Sequence, residues 1–121
     1  MRIALLAAAT TLAATAHAVP PDQYRIRNAG ELVKVCSVPA SDPDHATAMA
    51  FCHGVLAGSY GYYDASTKPA DRFVCVPDPS PKRSQVASDF VAWANARPQL
   101  MNAGAIDTLF RFAGEAFPCR K

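Results

Sequence analysis

Few side chains in this 121-residue chain could do acid–base, nucleophilic or metal chemistry, and their spacing argues against each. Beyond residues 1–18 there are two histidines, His45 and His53, eight residues apart on one predicted helix. Two helical turns separate them by about 12 Å, too far for one shared metal ion. His53 has no ligand-type residue three or four positions on, so it reads as a solvated or partly packed side chain. No serine or threonine lies in a Gly-x-Ser-x-Gly elbow or a Ser-x-x-Lys setting. Asp42 and Asp44 form a close acidic pair, but at a helix start they serve the positive end of the dipole. The glycines sit inside a predicted helix without a Gly-Lys-Ser/Thr sequence or a preceding strand, which excludes a phosphate loop. The residues therefore point to binding rather than catalysis, with no cofactor and no metal expected.

The four cysteines, Cys36, Cys52, Cys75 and Cys119, have a different use. Residues 1–18 open with Arg2, run through an apolar stretch and end in Ala16-His17-Ala18, the pattern of a cleaved signal peptide. The apolar run is shorter than the roughly 20 residues a membrane span requires. In an exported small chain an even number of cysteines reads as two disulfides. A zinc site would need close pairs such as Cys-x-x-Cys, and Cys52-His53 lacks the partner cysteine of a haem attachment. Twelve basic residues against ten acidic ones, with no Lys/Arg stripe, give no sign of nucleic acid as a partner. After cleavage no membrane association is expected.

The elements that carry these residues read as all-α. Residues 19–28, with Pro20-Pro21 and no apolar period, are expected to be a flexible N-terminal segment, followed by one domain over residues 29–121. Leu32, Val33, Val35 and Cys36 give a short first helix that stops before Pro39. Asp42-Pro43 starts the second, because Asp can accept an orphan amide and Pro at the first position loses no bond. That helix carries Ala48, Phe51, Cys52, Val55 and Leu56 on one face and a small-residue line of Ala50, Gly54, Ala57, Gly58 and Gly61 opposite. Each mid-helix glycine costs about 0.8–1 kcal/mol relative to alanine, so Gly54, Gly58 and Gly61 imply a close-packed seam. Packing within the monomer is the first expectation, a dimer seam the second. Tyr60, Tyr62 and Tyr63 at the end of this helix suit either the core or a recognition surface.

Residues 64–72 are expected to be a loop, and residues 73–76 a short extended piece. Ser80-Pro81 looks like the cap and first residue of a third helix bearing Val86, Phe90, Trp93 and Ala94, ending at Arg97-Pro98. A fourth carries Ile106, Leu109, Phe110, Ala113 and Phe117 up to Pro118. So short a turn between the last two makes an antiparallel hairpin, which brings Cys75 towards Cys119 and leaves Cys36 with Cys52, one of three possible pairings. The expected fold is a small four-helix domain with a C-terminal helical hairpin, crosslinked by two disulfides.

One ordered set of residues carries a family resemblance from Leu32 to Cys119. It comprises Leu32 with Cys36, Phe51-Cys52, Gly54 with Gly58, Phe73-x-Cys75-x-Pro77, Gln85, Phe90, Trp93, Pro98, Ala105, Leu109 and Phe117-Pro118-Cys119. In these the chain resembles the Rap/Tai family of immunity proteins, which protect bacteria against peptidoglycan amidases delivered by type VI secretion. It departs at Gly54-Val55, Gly61 and Arg97-Pro98, where the family usually carries Gly-Tyr, Asp and His-Pro. The resemblance implies a periplasmic, all-helical protein, often a homodimer, that covers or plugs the catalytic cleft of an amidase effector. The partner-facing candidates are then two polar segments, with Tyr62, Tyr63, Asp64, Lys68, Asp71 and Arg72 on one and Asp78, Lys82 and Arg83 on the other. The alternative from another class is a small periplasmic helical chaperone of the acid-stress type.

Overall fold

A computed structural model describes residues 21–120 of the chain, and the signal-peptide expectation for residues 1–18 lies outside them. Four helices make the domain: α1 (Ala29–Cys36), α2 (His45–Ser66), α3 (Arg83–Asn95) and α4 (Ala105–Ala116). No β-strand occurs among the described residues, only two isolated bridges, Asn28 with Gly104 and Val74 with Pro118.

Helix α1 is short but central, touching each of the other three. Asn28 caps it, its side-chain oxygen accepting from the Glu31 amide at 2.9 Å. Glu31 in turn accepts from the Arg27 amide at 2.6 Å and from the Arg27 guanidinium at 2.7 Å, closing the helix start from the other side. The Arg27 hydrogen bond is the main cause that holds the Glu31 carboxyl below its usual range, although burial opposes it. Gly30 eases a close approach here, since a Cβ would lie 3.3 Å from the Met101 carbonyl oxygen, the same oxygen that accepts the Gly30 amide.

The core forms where the four helices meet. Leu32 and Val35 of α1, Cys52 of α2 and Phe90 of α3 are fully buried, with Leu109 and Phe112 of α4 closing the cluster. Phe90 and Phe112 meet edge-on with centroids 5.7 Å apart. The face of α4 that enters this core is centred on Thr108, Leu109 and Phe112, whereas Ile106, expected inside, is exposed. Of the expected N-terminal segment, the described residues 21–28 pack onto the fold. Residues Pro21–Arg25 form a 3-10 turn, and Tyr24 packs edge-on against Phe51 with centroids 5.2 Å apart. Its apolar residues are too few to show a period, yet Tyr24 and Ile26 find partners on the core.

Both disulfides form as the hairpin geometry suggests, Cys36 with Cys52 and Cys75 with Cys119. The first joins α1 to α2 inside the core; the second joins the segment before α3 to the segment after α4. Sequence separations of 16 and 44 residues correspond to about 3 and about 4 kcal/mol in the chain-entropy estimate. Around the second bridge the Cys75 amide donates to the Phe117 carbonyl at 2.8 Å, so the two tails pair briefly before they are joined.

Three helix boundaries differ from expectation. Helix α2 starts at His45 rather than at Asp42-Pro43, because the Asp42 carboxylate takes up the Asp44 amide in a turn ahead of the helix. Helix α2 continues through Asp64, Ala65 and Ser66, which carry no apolar signal but are held by the preceding turn. Helix α3 starts at Arg83 with Lys82 as its unbonded cap, so Ser80-Pro81 belongs to the connector rather than to the helix start.

Candidate partner-binding groove

The C-terminal half of α2, the connector leading to α3 and the last turns of α4 enclose an open groove of about 370 Å³. Its floor is apolar, made by Leu56, Val74, Val86, Leu109 and Phe112, with Tyr60, Phe110, Ala113 and Phe117 as walls. Arg83 and Val86, at the start of α3, line it together with Ala113 and Phe117, at the end of α4, as an antiparallel hairpin requires. The walls are fixed by covalent and polar links. Cys75–Cys119 ties the Val74 side to the Phe117 side. The Tyr63 hydroxyl accepts from the amides of Phe73 at 2.8 Å and Val74 at 3.1 Å, which anchors the same segment to α2.

That use of Tyr63 decides the question left open for the tyrosines. Tyr63 is buried, its ring against Phe73 and Phe110 with centroids 5.4 and 5.1 Å apart, so it is not a partner-facing residue. Tyr60 is half-buried in the groove wall, and Tyr62 is 77% exposed. Successive residues turn by about 100° around a helix, which sends three near-adjacent tyrosines to three environments.

Of the two candidate segments, one lies outside the lining of this groove and the other reaches it through Arg83. On one, Arg72 pairs with Asp64 at 2.8 Å and its guanidinium donates to the Asp64 carbonyl at 2.9 Å, closing the last turn of α2. Arg72 and Asp64 are thus occupied at home, while Tyr62, Lys68 and Asp71 are exposed, the last in a 3-10 turn, Pro69–Asp71. On the other, Asp78, Lys82 and Arg83 are all exposed, and Arg83 alone of the candidate residues lines the groove itself.

The small-residue line of α2 faces outward. A Cβ placed at Gly54, Gly58 or Gly61 would meet nothing within 4 Å, so packing inside the monomer, the first expectation, does not account for these glycines. Gly61 lies at the edge of the groove, and Gly54 and Gly58 continue the same uncharged face towards the N-terminus of α2.

The histidines lie elsewhere, along a second depression beside Cys36, Met49 and Ser88. The His45 Nδ1 lies 2.7 Å from the Val38 carbonyl oxygen and donates to it, because a carbonyl only accepts. His53 Nε2 is buried without a hydrogen-bond partner among the described residues. No group of three or more His, Cys, Asp or Glu residues is placed to hold a metal among the described residues.

A second polar cluster, absent from the sequence reading, braces the hairpin. The Trp93 indole donates to Glu115 at 2.7 Å, Arg97 pairs with the same carboxylate at 3.2 Å, and the Arg97 guanidinium stacks 4.1 Å over the Trp93 ring. The groove itself also went unread, because Phe110, Ala113 and Phe117 share the helical spacing of a core face. The available signal was that α4 carries more apolar positions than one face of a helix can bury, with Phe112 beside Phe110.

Among known proteins, no curated sequence and no solved structure gives a significant match. A family profile does match, that of the Rap1a immunity proteins, over residues 28–119. This span contains all four helices, both disulfides and every residue lining the groove. With most of its length accounted for by that one profile, the chain belongs to the Rap1a immunity protein family.

Proposed function

We propose that this protein is a periplasmic immunity protein that binds a peptidoglycan amidase effector of type VI secretion and blocks its catalytic cleft, without catalysing a reaction itself. Membership of the immunity family over residues 28–119 carries this reading. The signal-peptide pattern in residues 1–18 supports export, and an amidase acting on the cell wall has to be met in that compartment. A crosslinked frame holding two segments with exposed residues also suits inhibition, because segments ordered beforehand lose less entropy on association. The exposed face of α2 supports a homodimer built through Gly54, Gly58 and Gly61, whose missing side chains would let a second copy approach closely.

A contact-dependent competition tests the function. A deletion strain is mixed with its parent under conditions that activate type VI secretion, and survivors are counted. Loss of the deletion strain is expected, with rescue by the exported wild-type protein and no loss when the parent lacks its secretion apparatus. Unchanged survival, with delivery of other effectors confirmed, would reject protection against sibling toxins.

A further inference from the structure

The groove and its one charged wall residue suggest what the partner must present. Apart from Arg83, every residue lining the groove is apolar or uncharged. Arg83 is exposed, has no carboxylate partner among the described residues, and stands at the start of α3, where the helix dipole adds to its positive field. No carboxylate of the two candidate segments offsets it inside the groove. Asp64 is spent on Arg72, and Asp71 and Asp78 lie outside the lining. A space of about 370 Å³ has the dimensions of a site for bulky apolar groups, and its walls are held by a disulfide and by the Tyr63 clamp. Water in it is in contact with valine, leucine and phenylalanine surface, so displacing it by an apolar group is favourable.

We propose that this groove is the docking site for a protein segment that inserts a large apolar side chain against Val74, Phe110 and Phe117 and sets a neighbouring carboxylate on Arg83. The proposal rests on the immunity reading, in which that segment belongs to the effector. The apolar side chain supplies most of the affinity as an anchor in a desolvated pocket. The carboxylate supplies orientation and discrimination, since an acid at Arg83 is attracted and a base is repelled. Ser59 and Ser80, also in the lining, can bond the backbone of the inserted segment.

Two arms test this. In the first, the isotope-labelled protein is titrated with N-acetyl-Phe-Glu-amide, N-acetyl-Phe-Lys-amide and N-acetyl-Ala-Glu-amide while amide resonances are followed by NMR. Shifts confined to Val76, Arg83, Ala113 and their neighbours are expected with Phe-Glu, with binding to Phe-Lys weaker by roughly three- to tenfold, as for an exposed ion pair exchanged for a repulsion. Ala-Glu should not saturate, and Arg83→Glu should reverse the charge preference. Equal affinity for Phe-Glu and Phe-Lys would overturn the proposal in favour of a groove for uncharged apolar ligands, and absence of shifts at these residues would overturn it outright. In the second arm, Arg83→Glu and Ala113→Trp, the latter filling the groove, are placed in the competition assay after their amide spectra show the native fold. Loss of protection in both is expected. Protection retained by both overturns the docking site and leaves the immunity reading standing, whereas failure of the wild-type protein to protect overturns the immunity reading and leaves the peptide arm to decide the groove.

Discussion

Tyr63 shows how much one atom can hold. Its hydroxyl oxygen accepts two backbone amides, one of them from Val74, which is almost wholly buried and whose own amide is not used in the bridge to Pro118, where Cys75 and Cys119 donate. In Tyr63→Phe the ring contacts remain but both amides lose their acceptor, so a loss of about 1–3 kcal/mol is expected, read as a lower urea midpoint. The Phe110 and Phe117 walls would then be less well fixed, and peptide shifts at Val76 should broaden. A second residue-scale effect concerns acid. The Arg27 guanidinium holds the folded Glu31 carboxyl below its usual range, while in the unfolded chain it titrates near the ordinary value of about 4.3. The stability it contributes is therefore complete above that value and is lost as pH falls through the lowered folded one. Urea midpoints taken from about pH 6 to about pH 3 should fall less steeply in Glu31→Gln than in the wild type. The cysteines were legible at this scale because four of them without a close Cys-x-x-Cys pair favour two disulfides, and the hairpin of α3 and α4 selects one of the three pairings. The orientation of Tyr63 was not, because three tyrosines within four residues fix no phase around a helix.

At the scale of elements, the helices could be placed because their starts and stops carry chemistry. Asn28, which carries no apolar signal, caps α1, whereas the Asp42 carboxylate accepts the Asp44 amide at 2.8 Å in a turn and so delays the start of α2 to His45. The end of α2 lies three residues beyond the expected one, since Asp64, Ala65 and Ser66 continue no apolar period and Arg72, which closes this turn, is eight residues from Asp64 in sequence and invisible to a local pattern. The outward glycines are the other element-scale feature. With no neighbour within 4 Å, Gly54→Ala, Gly58→Ala and Gly61→Ala should each stabilise the monomer by about 0.8–1 kcal/mol through helix propensity alone, measured at low protein concentration. If a second copy uses this face, the triple variant should also sediment as monomer at concentrations where the wild type is a dimer. A gain in stability with unchanged assembly would remove α2 from the dimer interface.

Across the whole molecule, the two disulfides divide the work between core and groove. Cys52 is fully buried and Cys36 nearly so, whereas Cys75 is exposed and Cys119 half-buried. An attacking thiolate must reach a sulfur in line with the bond, so a dithiol reductant meets Cys75–Cys119 first. Mild reduction followed by alkylation and mass mapping should label Cys75 and Cys119 while Cys36 and Cys52 stay protected. Opening that ring forfeits about 4 kcal/mol in the chain-entropy estimate, although the Tyr63 clamp and the Cys75 amide bond to Phe117 still hold the two tails together. The core, built on α1 and closed by Cys36–Cys52, is untouched by this step. The partly reduced protein should therefore keep its helical circular dichroism at moderate temperature, melt earlier, and bind N-acetyl-Phe-Glu-amide more weakly, because Val74 and Phe117 are no longer held at a fixed separation. Simultaneous labelling of all four cysteines would show instead that groove and core open as one cooperative unit.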